Sequence, residues 1–130
     1  MAAPGDDDAG RMWPVKYLML IYGNETVWNS LPPAEMADLI SRVDAFNQDL
    51  RDTGEFITAE GLVERPHAVR RGPDGPVVTD GPYLEAKEFV GSMFVVDVES
   101  EDRALEIAKS YPGIAFGGGL EVWPLMGHDG

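Results

Sequence analysis

The sequence predicts an α+β domain of ferredoxin-like arrangement, with two helices laid on a mostly antiparallel sheet. Two observations carry that expectation. Apolar residues recur first at strand spacing and then at helix spacing, in the order β-α-β-hairpin-β-α-β. The chain has 130 residues, 44% hydrophobic and 25% charged, which supplies one core and not two.

Residues 1–14 read as an acidic tail, because Pro4, Gly5 and Asp6-Asp7-Asp8 build no apolar face. Trp13 is the one side chain there large enough to anchor it. Residues 15–130 form the domain. Residues 15–22 are apolar on both alternating faces, as a buried strand is, and Gly23-Asn24 ends them. Pro32-Pro33 starts a helix, where a missing N–H leaves nothing unpaired. Met36, Leu39, Ile40, Val43, Phe46 and Leu50 recur at three- and four-residue steps, so one stripe faces the sheet. Gly54 closes that helix.

Residues 55–62 read as the next strand. Residues 67–71 and 76–80 flank Gly72-Pro73-Asp74-Gly75, whose residue types make a hairpin turn. Residues 90–98 form another strand, with Met93-Phe94-Val95-Val96 apolar on both faces. Ser100 caps a second helix, with Ala104, Leu105, Ala108 and Tyr111 as its inner stripe. Pro112-Gly113 stops it. Gly117-Gly118-Gly119 leads into the closing strand, residues 120–125, placed at an edge by Pro124.

Two helices cover one face of such a sheet, yet two of its strands are apolar on both. A symmetry mate is the economical cover, so the sequence predicts a homodimer packed sheet to sheet.

Composition narrows the function classes. Ten Lys and Arg against 23 Asp and Glu give a net charge of −13, with a pI near 4.3. So acidic a surface repels phosphate backbones and anionic lipid, and neither nucleic acid nor membrane is an expected partner. Residues 1–8 hold no basic stretch of the kind that opens a signal peptide, and no apolar run reaches roughly 18 residues. The expectation is a soluble cytoplasmic protein. Cysteine is absent, His67 and His128 lack ligand spacing, and no metal or cofactor is predicted. The glycine run precedes a strand and not a helix, so it is no phosphate cradle.

The ionisable residues around the hairpin are the candidate site. Asp80-Gly81-Pro82 has a plain reading as a turn, in which Asp bonds backbone N–H groups and Gly supplies positive φ. Its functional reading aims Asp80, Lys87 and Glu88 into a cleft beside the sheet, where burial and mutual charge tune them for proton transfer. Tyr83 adds a phenol there, or packs in the core. Arg70 and Arg71 alternate on a strand, so one of them can line a pocket and grip a carboxylate, or each can make a surface ion pair. His67 shares the face of Val69 and Arg71, as a base, a binding group or a structural residue.

The run Val78-Thr79-Asp80-Gly81-Pro82-Tyr83-Leu84-Glu85-Ala86-Lys87-Glu88 resembles the signature of the YCII-related family, in its Asp-Gly-Pro-Phe subgroup. Tyr83 stands where that family has Phe, Leu84 where Ala is common and Ala86 where Thr is common. The resemblance takes in 16–22, Phe46-Asn47, Val69-Arg70, 95–98 and 118–124, nearly all of the chain after the tail. It implies a dimeric α+β barrel. It also implies kinship with muconolactone-isomerase-like proteins and with enzymes acting on small aromatic-derived compounds. Two functions follow as expectations. One is a lyase or isomerase type of enzyme using Asp80, Lys87 and Glu88, with Arg70, Tyr83 and His67 binding substrate. The other is a non-catalytic ligand-binding or regulatory module linked to an extracytoplasmic-function sigma factor. The His–Asp pair suggested as active in shorter relatives finds no match in this sequence's motifs.

Overall fold

The computed structural model describes residues 16–62, 66–81, 88–116 and 118–127; the tail and Trp13 lie outside them. In chain order the elements are β1 (Lys16–Asn24), α1 (Glu25–Ser30), α2 (Pro33–Thr53), β2 (Phe56–Gly61), β3 (His67–Gly72) and β4 (Gly75–Asp80). They continue with β5 (Glu88–Asp97), α3 (Glu101–Lys109), a 3-10 helix (Pro112–Phe116) and β6 (Leu120–Pro124). Four strands form the main sheet in the order β2-β5-β1-β6, every neighbouring pair antiparallel. β6 lies at an edge, as its proline requires. Among the described residues β3 and β4 pair only with each other, in a separate two-stranded ribbon.

Alternation divides the main sheet into two faces. Tyr17, Met19, Phe94 and Val96 point to the helices and meet Leu50, Val98, Ala104, Ile107 and Ala108 in the core. Phe46 of α2 meets Phe94 edge-on, with ring centres 5.5 Å apart, and meets Tyr111 edge-on at 5.3 Å. Tyr111 stacks on Phe94 at 5.6 Å. Burial pushes the Tyr111 phenol up, and its hydrogen bond with Ser92 works the other way.

Local chemistry sets the helix ends. Asn24 ends β1 and caps α1, its Oδ1 accepting from the Thr26 and Val27 N–H groups at 3.0 and 3.3 Å. Pro33 occupies the first turn of α2, and Gly54 closes it at φ +83°. The Ser100 hydroxyl accepts from the Arg103 N–H at 3.1 Å and starts α3.

Several expectations need correction. Helix α1 and the 3-10 helix are too short to show a hydrophobic period. Ile40 and Leu105 are exposed, and Ile107 takes the inner position expected of Leu105. The packed stripes run 36-39-43-46-50 and 104-107-108-111, so residues 40 and 105 fall a helical step outside them. Gly81 does not have the positive φ expected of it. It faces Pro66 instead: its N–H donates to the Pro66 carbonyl at 2.8 Å, and a Cβ there would lie 2.8 Å from that same oxygen.

One polar clamp ties α3 to the turn before β2. The Arg103 guanidinium donates to both Glu55 oxygens at 2.8 Å and to Glu106 at 3.1 Å, while the Thr53 hydroxyl donates to Glu55 at 2.8 Å. The Arg103 hydrogen bonds hold the Glu55 carboxyl below its ordinary value, against a smaller opposing effect of burial. Arg103→Met should cost about 1–2 kcal/mol, because it leaves a half-buried carboxylate short of donors. Folding lowers this carboxyl's pKa, so the clamp stabilises fully above the unfolded value near 4.5 and is lost as pH falls through the folded value. Thermal melts of the two proteins should therefore differ at neutral pH and converge in acid.

Candidate functional site

The ribbon folds about Pro73-Asp74, pairing Gly72 with Gly75 and His67 with Asp80 at its base. Cross-strand partners share a face, so His67, Asp80, Val69, Val78, Arg71 and Pro76 lie on one side. Ala68, Thr79, Arg70 and Val77 lie on the other.

His67 Nδ1 stands 3.8 Å from Asp80 Oδ1, with side chains 75% and 97% exposed. The sequence motifs did not reveal this pair. Folding the hairpin about a two-residue turn does, because it sets residue 67 directly opposite residue 80. The Asp80 carboxylate thus reaches water and not a dry cleft.

Arg70 and Arg71 both border an open depression of about 440 Å³ near the ribbon's tip, with Val69, Gly75 and Pro76. One arginine was expected to line a pocket; a two-stranded ribbon has free edges that long side chains from either face can border. Glu88 opens β5 opposite Asn24. Tyr83 and Lys87 lie outside the described residues. The structure therefore brings together His67 with Asp80 at the ribbon's base, and Arg70 with Arg71 near its tip.

A second polar group sits on the sheet face turned away from the helices. Glu121 Oε1 accepts from the Tyr22 hydroxyl and from Trp123 Nε1, each at 3.0 Å. The hydrogen bond to Glu121 raises the Tyr22 phenol, with smaller help from burial. Around this group the register sets Glu60, Met93, Leu20 and Glu121 in one row, and Thr58, Val95, Leu18 and Trp123 in the next. Sequence reasoning missed the cluster, since it depends on the β1–β6 register. Its signal was the two-residue spacing of Glu121 and Trp123.

Among the described residues no three His, Asp or Glu side chains are grouped to hold a metal ion. No helix among them is long and apolar enough to cross a membrane.

The model of the YCII-related domain matches residues 15–126, from the first strand to just past the last. The chain belongs to the YCII-related family. A protein of Rhizobium meliloti (strain 1021), described as uncharacterised, is 27% identical over 112 residues, which cover 84% of this chain and 90% of that protein. The YCII-related match takes in the main sheet, the helices and the ribbon as one unit.

Proposed function

We propose that this YCII-related chain is a homodimeric small-molecule-binding or regulatory module of the Asp-Gly-Pro-Phe subgroup, with its ligand site along the ribbon. The subgroup reading rests on Asp80-Gly81-Pro82. A ferredoxin-like arrangement is supported by the strand order, in which β5 lies between β1 and β2 as in a split β-α-β unit. The dimeric barrel is supported by the face that carries Leu18, Leu20, Met93, Val95 and Trp123, with α2 and α3 packed on the other side.

One observation favours binding over catalysis: Asp80 is 97% exposed. Acid–base catalysis draws its strength from a site that excludes water, and a carboxylate this exposed lacks that advantage. Binding asks less. Arg70, which borders the depression from the ribbon face opposite Arg71, suits a ligand with a carboxylate. In its regulatory form the module acts in the cytoplasm on an extracytoplasmic-function sigma factor.

A second reading, the lyase or isomerase type of enzyme, is favoured by the 3.8 Å approach of His67 to Asp80. There His67 is the base and Asp80 holds its ring; Lys87, Glu88 and Tyr83 enter this reading from the sequence alone.

A thermal-shift screen of small carboxylic acids and neutral metabolites, with each hit recovered and assayed for conversion, separates the two. The expected result is a hit that raises the melting temperature and is recovered unchanged. Its effect should vanish in Arg70→Met, and also in Asp80→Asn and Lys87→Met, all of which remain folded dimers. Conversion of the hit, abolished by His67→Gln, would establish the enzyme instead. Variants that bind normally but melt early would reduce the signature to a structural turn.

A further inference from the structure

A two-stranded ribbon alone is at best marginally stable in water, and this one turns an apolar pair outward. Val69 and Val78 face each other across the strands and are 60% and 65% exposed. Arg71 shares their face, and among the described residues nothing pairs with it. Among the described residues the ribbon makes no ladder with the main sheet.

Three considerations select a second copy of this chain as the cover. The first is area. Four strands about 4.8 Å apart, of 9, 6, 10 and 5 residues, give a flat footprint of roughly 500 Å². A standard interface buries about 800 Å² on each partner. Side-chain relief enlarges the footprint, yet the sheet alone stays at the low end of what a stable dimer needs.

Charge is the second. The open face carries a carboxylate on each edge strand, Glu60 and Glu121, in a chain of net charge −13. Both donors to Glu121 use Oε1, and Oε2 has no donor among the described residues. A carboxylate buried between protomers without a cation is costly, and the ribbon offers one in Arg71. Reach is the third. Six-residue strands make the ribbon about 20 Å long, twice the roughly 10 Å between packed sheets.

We propose that the β3–β4 ribbon is a clasp that closes on a second copy of this chain, laying Val69 and Val78 on that copy and setting Arg71 against its Glu121. The clasp rests on the homodimer reading given above and extends it beyond sheet-to-sheet packing.

Sedimentation equilibrium on the full chain tests it, with circular dichroism confirming that each variant is folded. Val69→Ser with Val78→Ser should weaken the dimer about tenfold or more. Arg71→Glu and Glu121→Arg should each weaken it, and the two together should restore it to within about threefold of the parent. Glu121→Gln serves as a milder second probe if the reversal unfolds the chain. A dimer that Leu20→Arg breaks but the ribbon variants leave untouched overturns the clasp and leaves the sheet-to-sheet dimer standing. Failure of the double reversal to restore binding overturns the Arg71–Glu121 pairing. A parent chain that is monomeric throughout overturns both readings.

Discussion

Replacing Phe94 by alanine should destabilise the fold by about 3–5 kcal/mol. Phe94 is almost wholly buried and sits between Phe46 and Tyr111 in the three-ring group. Truncation removes the apolar transfer energy of the ring and also leaves a cavity. The sheet on one side and two helices on the other restrain its collapse. A loss of that size takes a large part of the about 5–15 kcal/mol by which domains are ordinarily stable. Urea titration monitored by circular dichroism should show a much lower midpoint with an unchanged slope. Phe94→Leu keeps most of the volume and should lose far less.

Gly118→Ala is expected to be comparably damaging for a different reason. Gly118 lies directly against the Tyr22 backbone, and a Cβ placed on it overlaps the Tyr22 carbonyl oxygen. The neighbouring Gly119 carbonyl accepts from the Tyr22 N–H at 2.9 Å, so the two backbones cannot part without loss of this bond. The obstacle is main chain, not the flexible end of a side chain. A cost of about 3 kcal/mol or more follows, at the upper end of overpacking. Ala at Gly54 or Gly119 meets no neighbouring atom within 4 Å. There the penalty is that of positive φ alone, about 1–2 kcal/mol. The order of melting temperatures, with Gly118→Ala lowest of the three, distinguishes close approach from backbone conformation.

The main strands, the two long helices and the hairpin were legible because each has a period that burial imposes. Val95-Val96 and Leu18-Met19 alternate between two apolar faces, and 36-39-43-46-50 marks one side of a helix. Helix α1 was not legible: six residues carry no period, and only the Asn24 cap announces them. The edges of the helical stripes were overread at Ile40 and Leu105, since sequence shows which residues are apolar but not how wide the covered stripe is. At the site, residue types drew attention to His67 and Asp80 separately, whereas their pairing comes from hairpin register. The Tyr22–Glu121–Trp123 group depends on strands almost 100 residues apart in sequence, beyond the reach of any local pattern. Gly81 shows the reverse. Its presence in the turn was anticipated, but its cause is the approach of Pro66 and not a left-handed backbone.

The open sheet face is the element on which the functional account turns. Met93 and Leu20 in one row, and Val95, Leu18 and Trp123 in the next, share the face opposite the core cluster; Val95 is buried, Leu18, Leu20 and Met93 are half-buried, and Trp123 is 51% exposed. Burial of that face against its own copy, as proposed above, would remove its remaining exposed apolar surface at roughly 25 cal/mol per Å² and would close two sheets into one barrel. Native mass spectrometry of the full chain at micromolar concentration tests this most directly, with Leu20→Arg as comparison. The account predicts a parent species of twice the 14.2 kDa chain mass and a folded Leu20→Arg protein at the single-chain mass. A parent protein found only at 14.2 kDa, or a Leu20→Arg protein that dimerises as tightly as the parent, would contradict it.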